Sequence, residues 1–439
     1  MAAPATVAPT SSGRATFAAG NGDHAVRSAT EPLPPQGLYI HFPFCVSLCP
    51  YCDFVVVAGS AARGPRNRIE SLLGAVHTEL ELRSEATVGP GAPLQSVYLG
   101  GGTPSLLSAA QVGALLEAVA TRLGLAHDAE ITLEANPGSD EIGDLAGFRE
   151  AGVNRLSMGV QSLDDGELKR LGRRHRAAEV RTAMAAARAA GFESVNLDLL
   201  TDIPGQTLGS WRSTLEQALA LDPDHLSAYT LTLDDPDAEG LTGPDGDHLP
   251  VGRGARRWRV RAAAEQSEER AARMELLTDE LAEAAGLRRY EIANLARPGR
   301  ESRHNLLYWR RRPYLALGPG AHASDGARRR TWNAARLDRY IGALEGGALP
   351  PGGSEEIDEA TVLAEQAMLG LRLREGIDAA LAQEPALAPA LEWARQQGLL
   401  EDVGAGARLN AQGRLLANEV FARLLPDPAG QPAASGAGR

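Results

Sequence analysis

Three cysteines are the side chains of this sequence best suited to chemistry, because they stand together in a single stretch. They are Cys45, Cys49 and Cys52, spaced C-x3-C-x2-C, and the 439-residue chain contains no other cysteine. An odd and tightly clustered set is not typical of a disulfide framework. Three thiolates on one loop can instead hold one metal centre, and the fourth thiolate of a fully ligated cluster is missing. The spacing therefore predicts a [4Fe-4S] cluster in which one iron is left open, as a catalytic cluster needs.

A structural zinc ion is the alternative for the same loop. Its ligands would be the three cysteines together with His41 or an acidic residue. The x3 and x2 spacings, and the absence of a second Cys/His cluster from the sequence, favour the iron–sulfur cluster over zinc.

The cysteine loop follows the first of six short apolar segments that alternate with helical patterns. Such alternation forms right-handed βαβ units and a parallel sheet, and six units fall short of the eight that close a barrel. We therefore predict an α/β fold with an open, partial (β/α)6 barrel. The predicted strands are Leu38–His41, Leu94–Leu99, Ala129–Ala135, Val153–Val160, Ser194–Leu200 and His225–Leu231. Other predicted elements are helices over Asp140–Ala151 and Arg256–Ala285 and a strand over Leu287–Leu295.

Residues that could bind a charged ligand lie near the carboxyl ends of these strands, where ligands gather in parallel sheets. Gly100–Pro104 (GGGTP) follows the second strand, and its glycines let the backbone come close to a ligand. Glu134 closes the third strand, Gln161 closes the fourth and Asp198 lies on the fifth. The guanidinium of Arg173 can pair with a carboxylate. Taken singly, each of these features is also typical of a tight turn or a surface salt bridge.

The cysteine spacing, with Tyr51 before the last cysteine, resembles the signature of the radical S-adenosylmethionine (SAM) enzymes. The wider stretch Tyr39–Phe54 resembles the oxygen-independent coproporphyrinogen oxidase-like family, in its heme-chaperone branch. The resemblance implies that the three cysteines hold the [4Fe-4S] cluster and that SAM chelates the open iron. The resemblance also implies that an electron from the cluster splits the sulfonium to give a 5′-deoxyadenosyl radical. By resemblance, the SAM-binding residues are Tyr39, Tyr51, Gly101, Gly102, Thr103, Glu134, Gln161, Arg173 and Asp198.

A second motif, His-Asn-x-x-Tyr-Trp, also resembles the heme-chaperone branch. It makes His304 a candidate axial ligand of heme iron, since a neutral imidazole is a usual protein donor. Tyr308 and Trp309 could pack on the macrocycle. The alternative is that His304 only forms hydrogen bonds within a folded loop. The stretch Leu317–His322 matches the family as well, and we interpret it as a tight turn near the cofactor.

Two positions depart from the family pattern. The oxidase branch usually carries a fourth cysteine two residues after the third, and Phe54 occupies that position here. This favours the chaperone branch. In Leu200–Gln206 (LTDIPGQ), the family pattern usually has a glycine where this chain has Asp202, so the resemblance does not extend to the shape of this loop.

The remaining sequence predicts a division into a large core and a small C-terminal unit. The second unit shows the pattern helix, helix, short hairpin, helix, which is typical of a winged-helix-like domain. The predicted parts are a disordered leader 1–33, a radical SAM core 34–345 with an insertion loop 234–255, a C-terminal winged-helix-like domain 355–425 and a disordered tail 426–439.

The composition of the chain limits the classes of function that it could have. The net charge of −12 argues against nucleic-acid binding, which needs a basic face. No apolar run approaches the roughly 20 residues that span a bilayer, and free thiols with an oxygen-sensitive cluster point to the cytoplasm.

We expect a heme chaperone that binds the cluster, SAM and heme, receives electrons from a flavodoxin- or ferredoxin-type donor and passes heme to an unnamed acceptor protein. The alternatives are radical decarboxylation of coproporphyrinogen III, as in porphyrin biosynthesis, and a cluster-containing binding protein without SAM chemistry.

Overall fold

The structure is a computed structural model that describes residues 33–62, 64, 67–86, 92–233 and 241–426. The predicted leader and tail therefore lie outside the described residues, apart from Leu33 and Pro426, and so does segment 234–240 of the predicted insertion. In the described part, no helix combines the length and the apolar character needed to cross a bilayer.

The strands fall into one large sheet and two short ribbons. In chain order they are β1 (Gly37–Phe42), β2 (Phe44–Cys45), β3 (Val57–Ala58), β4 (Leu94–Gly101), β5 (Leu125–Ala135), β6 (Arg155–Gln161), β7 (Val195–Thr201), β8 (His225–Thr230), β9 (Arg288–Arg289), β10 (Asn294–Ala296), β11 (Tyr314–Leu317), β12 (His322–Ser324), β13 (Arg329–Asn333), β14 (Gly352–Glu356), β15 (Leu400–Val403) and β16 (Gly406–Leu409).

The helices alternate with the strands through the first half of the chain and dominate its end. They are α1 (Ile69–Ala86), α2 (Ala109–Leu123), α3 (Leu145–Glu150), α4 (Asp165–Arg170), α5 (Ala177–Ala189), α6 (Leu208–Leu219), α7 (Arg253–Ala263), α8 (Glu268–Ala284), α9 (Arg303–Trp309), α10 (Leu337–Glu345), α11 (Glu359–Arg372), α12 (Ala379–Ala382), α13 (Ala388–Gln396), α14 (Ala411–Leu415) and α15 (Ala417–Leu424).

The centre of the large sheet is parallel. Strands β1, β4, β5, β6, β7 and β8 are neighbours in that order and form the six predicted βα units. Strand β11 adds a further parallel strand on the outer side of β1, and short antiparallel strands extend both edges. The helices cover one face of these strands, which is apolar, and Leu38, Leu99, Leu133 and Leu197 on that face are fully buried. The alternate residues on the other face, such as Ser157 and Asn196, are polar. The predicted class, an α/β open partial barrel with a small helical unit, is confirmed.

Three predicted elements differ from the structure. The predicted helix over residues 140–151 is limited to α3, because Gly143 has a φ of +73° and Asp144 caps the helix by accepting from the N–H of Gly147. The predicted long helix is divided into α7 and α8, with Ser267 as the N-cap of α8. The predicted strand over residues 287–295 consists of β9 and β10, which turn back on each other.

The C-terminal elements α11 to α15 have a hydrophobic core separate from that of the barrel. Its centre is formed by fully buried side chains on successive helices and on β16, among them Ala367, Leu391, Ala407 and Val420. The hairpin β15–β16 turns at Gly404, whose φ is +59°. This arrangement gives helices with a two-stranded wing.

Candidate functional site

The cysteine loop is joined to the glycine stretch that follows β4. The N–H of Gly102 donates to the carbonyl of Phe42 at 2.8 Å, and the N–H of Thr103 donates to the carbonyl of Phe44 at 2.8 Å. A Cβ on Gly102 would lie only 2.6 Å from the Phe42 oxygen, so this approach requires glycine. The two predicted segments therefore form one rigid end of the barrel.

The three thiols lie in this joined region. The hydroxyl of Thr103 donates to Sγ of Cys45 at 3.5 Å, and Nη1 of Arg173 lies 3.7 Å from Sγ of Cys49. Burial raises the pKa of Cys45 to about 11 and also raises the pKa of Cys52. Buried thiols of this kind give up their protons when a metal centre binds, because the cation stabilises the thiolates. Within the described ranges, no three Cys, His, Asp or Glu side chains stand close enough to hold a single metal ion.

Arg173 connects the cysteine loop to the strand ends. Its Nη2 donates to the carbonyl of Gly159 at 2.6 Å and to Oδ1 of Asn136. Its Nε is buried without a hydrogen-bond partner among the described residues. A buried donor of this kind needs an acceptor, and a ligand carboxylate would supply one.

Asn136 belongs to this site, although the sequence analysis did not select it. Its amide bonds to Arg173 on one side and donates to the hydroxyl of Thr103 at 3.1 Å on the other. It therefore orients both side chains. The signal was present in the sequence, because Asn136 lies two residues after Glu134 and period-2 alternation places both on one face.

Glu134 connects two of the predicted segments. Its carboxylate accepts from the N–H of Gly101 at 2.9 Å and from the hydroxyl of Tyr98 at 2.8 Å. Burial raises the pKa of Glu134 to about 7, and the Tyr98 hydrogen bond opposes the rise only in part. A cationic ligand beside this carboxylate would favour its ionised form.

Gln161 is the last residue of β6, and Asp198 lies in the middle of the neighbouring strand β7. The Asp198 carboxylate accepts from the amide of Asn196 at 2.8 Å and from the hydroxyl of Ser157 at 3.2 Å, so it has the partners that burial requires. Gln161 has a φ of +67°, and the register between β6 and β7 shifts at this residue. A bulge bends the strand and redirects its side chains. A Cβ on Gly159 would lie 3.2 Å from Nε2 of Gln161 and 3.4 Å from Nη2 of Arg173, so the Gln161 amide lies near Arg173.

The two tyrosines of the predicted SAM set occupy different positions. Tyr39 lies on β1, and its hydroxyl is 2.9 Å from Nδ1 of His41. His41 in turn bonds through Nε2 to the carbonyl of Val55 at 2.7 Å. Tyr51 lies in the cysteine loop with its ring 6.5 Å from that of Trp258.

Helix α7 holds the outer side of the cysteine loop, a role that the sequence analysis did not predict. Nε of Arg259 donates to the carbonyl of Pro50 at 3.1 Å, and Nη2 donates to the carbonyls of Tyr51 and Cys52 at 3.2 and 2.8 Å. Trp258 on the same helix donates to the carbonyl of Arg170 at 3.1 Å. In its own segment, α7 shows only several arginines in a helical pattern, which does not identify the loop that they contact.

The residues of the His-Asn-x-x-Tyr-Trp motif lie away from the cysteine loop. His304 is 1% exposed, and its ring nitrogens bond to Ser96 Oγ at 2.8 Å and to Tyr308 OH at 2.7 Å. Ser96 is near the start of β4, five residues before Gly101, or about 16 Å along the strand. Burial and then the charge of Arg155 lower the pKa of His304 to about 3. The ring therefore stays neutral within a closed network.

Trp309 contacts the C-terminal unit. The guanidinium of Arg372, at the end of α11, stacks 4.0 Å above the indole. Arg372 also donates to the fully buried carboxylate of Glu291 at 2.6 Å. The motif therefore links the barrel with the C-terminal helices, a link that its sequence did not predict.

Family comparisons match both units of the chain. The model of the Radical SAM superfamily matches residues 39–218, and that of the HemN C-terminal domain matches residues 357–416. Heme chaperone HemW of Mycobacterium tuberculosis is 36% identical over 398 residues, which cover 90% of this chain and 96% of the relative. Heme chaperone HemW of Escherichia coli is 40% identical over 293 residues, covering 66% of this chain and 70% of the relative.

A mouse protein and a solved structure extend the comparison. Radical S-adenosyl methionine domain-containing protein 1, mitochondrial, of Mus musculus is 40% identical over 312 residues, or 68% of this chain and 64% of the relative. The structure of coproporphyrinogen III oxidase (HemN) from Escherichia coli superposes with a TM-score of 0.74 at 24% identity, covering 90% of this chain and 91% of that one. At this identity the likeness shows a shared fold.

Proposed function

Since the chain belongs to the heme chaperone HemW family of radical SAM proteins, we propose that it binds heme and passes it to an acceptor protein. The observation that carries this proposal is that the similarity to curated heme chaperones runs through the barrel and the C-terminal unit together. A shared barrel alone would be compatible with many radical SAM activities.

The radical SAM family implies a [4Fe-4S] cluster and SAM, and the residues of this chain fit both. We propose that Cys45, Cys49 and Cys52 hold the cluster, whose binding would stabilise thiolates that burial otherwise disfavours. The unpartnered Nε of Arg173 fits a ligand carboxylate. When bound, the cluster supplies an open iron and one-electron chemistry.

The other residues of the predicted SAM set would bind and orient the cofactor. Glu134 would accept from the ligand ammonium, with Gly101, Gly102 and Thr103 forming the close backbone around it. Arg173 would pair with the carboxylate. The predicted contacts of SAM with Tyr39, Tyr51, Gln161 and Asp198 belong to the same proposal.

The electron donor of the cluster and the cellular location of the protein are also part of this proposal. A flavodoxin- or ferredoxin-type protein would reduce the cluster, and a reducing cytoplasm would preserve the thiols and the cluster. His304, Tyr308 and Trp309 stay a prediction as heme contacts. In the structure, both ring nitrogens of His304 already have partners.

Heme binding and release can be tested on the full chain after anaerobic reconstitution. Ferric heme is titrated into the protein, and the Soret band is followed as a difference spectrum against the cluster absorbance. The loaded protein is then mixed with apomyoglobin as a heme trap. We expect saturable heme binding and transfer of the heme to the trap.

Two results would contradict the proposal. One is the absence of a saturable Soret change. The other is the formation of protoporphyrinogen when coproporphyrinogen III is supplied with SAM and a reductant, since this would show the decarboxylation reaction instead. The matched control is the Cys45→Ala/Cys49→Ala/Cys52→Ala protein, which lacks the proposed cluster ligands. It shows whether heme binding depends on the cluster.

A further inference from the structure

Helix α7 concentrates positive charge on an acidic chain. It carries five arginines and no acidic residue among its eleven residues, whereas the chain as a whole has a net charge of −12. Burial separates two sides of this helix. Arg259 and Ala262 are buried on the inner side, and the outer side is exposed. The outer side therefore presents most of this charge to solvent.

Three arginines are aligned along the outer side. Arg253, Arg257 and Arg261 follow each other at a spacing of four residues, which places them on one side of an α-helix. All three are exposed, and none of their side chains forms an ion pair or a hydrogen bond with a residue that the structure describes. Val260 lies on the same side and is 69% exposed. Like charges at this spacing repel each other and destabilise a helix, so the stability of the fold does not explain the alignment.

The inner side of α7 is in contact with the cysteine loop. The guanidinium of Arg259 donates to the carbonyls of Pro50, Tyr51 and Cys52. An α-helix with its side chains is about 10–12 Å across, so the aligned arginines lie roughly that far from the backbone that carries the third thiol. Electron transfer slows steeply with distance, and a protein that reduces the cluster therefore has to bind close to this loop.

Positive charge continues from α7 onto the neighbouring helix α4. Nε1 of Trp258 donates to the carbonyl of Arg170 at 3.1 Å, which brings the end of α4 against α7. Lys169 and Arg170, in the last turn of α4, are both exposed. The cysteine loop itself adds one carboxylate, that of Asp53. Cations therefore outnumber carboxylates in these three segments.

Exposed apolar side chains lie in the same loop. Leu48 and Phe54 are both more than half exposed, and each lies two residues from the Pro50–Cys52 stretch that Arg259 contacts. A few exposed apolar side chains near several arginines are typical of a protein–protein interface, in which arginine is enriched. This composition fits a protein partner better than a free small anion.

We propose that the outer side of α7, formed by Arg253, Arg257, Val260 and Arg261 and called here the arginine face, docks an acidic one-electron carrier protein that reduces the cluster. This inference rests on the proposed function, in which a carrier supplies the cluster with electrons. The carrier would be oxidised by one electron and the cluster reduced by one, and no bond would form or break at the arginine face. Complementary charge mainly raises the rate of association. That suits a donor that leaves after each transfer, and such encounters use small interfaces.

The test uses the full chain after anaerobic reconstitution, with an acidic flavodoxin as the probe. Stopped-flow absorbance follows the reduction of the cluster by flavodoxin hydroquinone at ionic strengths of about 0.02 M and about 0.3 M. Thermophoresis measures the binding of oxidised flavodoxin, which involves no electron transfer. The first variant is Arg253→Glu/Arg257→Glu/Arg261→Glu. A second variant with glutamine at the same three positions removes the charge without reversing it.

Two controls separate docking from damage to the cluster. The matched variant Arg122→Glu/Arg181→Glu/Arg395→Glu changes the net charge by the same amount through exposed arginines on α2, α5 and α13. Reduced methyl viologen is a small cationic reductant that needs no docking surface. Iron and sulfide per chain should be equal in all the variants.

We expect the glutamate variant of the arginine face to react with flavodoxin at least about tenfold more slowly at low ionic strength, and to bind oxidised flavodoxin more weakly. The glutamine variant should be intermediate. The differences should shrink at high ionic strength, because salt screens exposed charges. Methyl viologen should reduce the glutamate variant as fast as the unmodified chain, and the matched variant should be slowed far less by the change of net charge alone.

An unchanged flavodoxin rate in the glutamate variant, or equal slowing in the matched variant, would overturn the inference. Loss of heme binding in the glutamate variant with an unchanged flavodoxin rate would also overturn it, since the arginines would then contact the heme propionates. A cluster that methyl viologen reduces and flavodoxin does not would exclude the docking surface alone. Failure of the unmodified chain to bind heme would instead overturn the proposed function itself.

Discussion

The side chain of Arg259 reaches the cysteine loop from a helix far along the sequence and donates to the carbonyl of Cys52 at 2.8 Å, across 207 residues. The same guanidinium also donates to the carbonyls of Pro50 and Tyr51. It therefore fixes the backbone on which the third thiol stands. A loop that must present three sulfurs to one cluster depends on such a contact, because the loop has few strand hydrogen bonds of its own.

Replacement of Arg259 by Ala should loosen this backbone. Hydrogen bonds from a charged donor contribute about 1.5 to 3 kcal/mol each, and we expect a local loss of about 3 kcal/mol. Iron and sulfide per chain after reconstitution should fall, and the cluster absorbance should decay faster in air. The matched control is Arg261→Ala, an exposed arginine on the same helix. Equal iron content and equal decay in the two variants would contradict this role.

Asp202 stands where the resemblance described in the sequence analysis leads us to expect a glycine. Its φ is +57°, in the left-handed region that glycine adopts without strain and that Asp tolerates better than most residues. Its buried carboxylate accepts from Nε of Arg270 at 2.8 Å and from the N–H of Ser267 at 3.0 Å. The backbone at Asp202 therefore adopts a left-handed turn, and the side chain adds an ion pair to the start of α8.

We expect Asp202→Gly to be destabilising in spite of the strain that it relieves. Relief of the backbone strain at this position stabilises the protein by about 1 kcal/mol. Loss of the ion pair with Arg270 destabilises it by about 3 kcal/mol. The net loss in the free energy of unfolding is therefore about 2 kcal/mol. Urea unfolding should give the order Asp, Asn, Gly and Ala at this position, from most to least stable. A glycine variant more stable than the parent protein would show that strain dominates.

The cysteine loop and the barrel could be predicted because their signals are local. The spacing of three cysteines, the glycines that need close backbone approach and the strand periodicity each involve a few neighbouring residues. The role of Arg259 could not be predicted, since nothing in its own segment identifies its partners. The same holds for His304, whose bond to Ser96 spans 208 residues and gives the ring a buried position. A motif indicated that this histidine matters, but its surroundings come from the tertiary fold.

Arg173→Lys should weaken SAM binding while leaving a positive charge in place. Lysine lacks the planar fork that lets one side chain reach Asn136, the carbonyl of Gly159 and a ligand carboxylate together. We expect a loss of about 2 kcal/mol, or about 30-fold in Kd, by isothermal titration of SAM into the oxidised protein. Arg174→Lys is the control, because Arg174 is exposed and pairs with Asp140 at the surface. Equal SAM affinity in the two variants would remove Arg173 from the proposed site.

SAM binding should also depend on pH through Glu134. Burial raises the pKa of this carboxyl to about 7 in the ligand-free protein, so it is largely protonated at pH 6 and largely ionised at pH 8. A ligand ammonium stabilises the ionised form, so the affinity should rise with pH through about 7. Below that pH, binding should release a proton, which titrations in buffers of different ionisation enthalpy can count.

The Glu134 carboxyl gives the folding stability of the ligand-free chain a pH dependence opposite to that of SAM binding. Without ligand, the folded chain binds more protons than the unfolded chain between the ordinary glutamate pKa and about 7, so stability should fall as pH rises through this window. Glu134→Gln keeps an acceptor for the N–H of Gly101 but cannot ionise. It should remove both the proton release and this part of the pH dependence, and it should bind SAM more weakly at pH 8. An affinity of the unmodified chain that stays constant from pH 6 to pH 8 would exclude Glu134 as the partner of the ammonium.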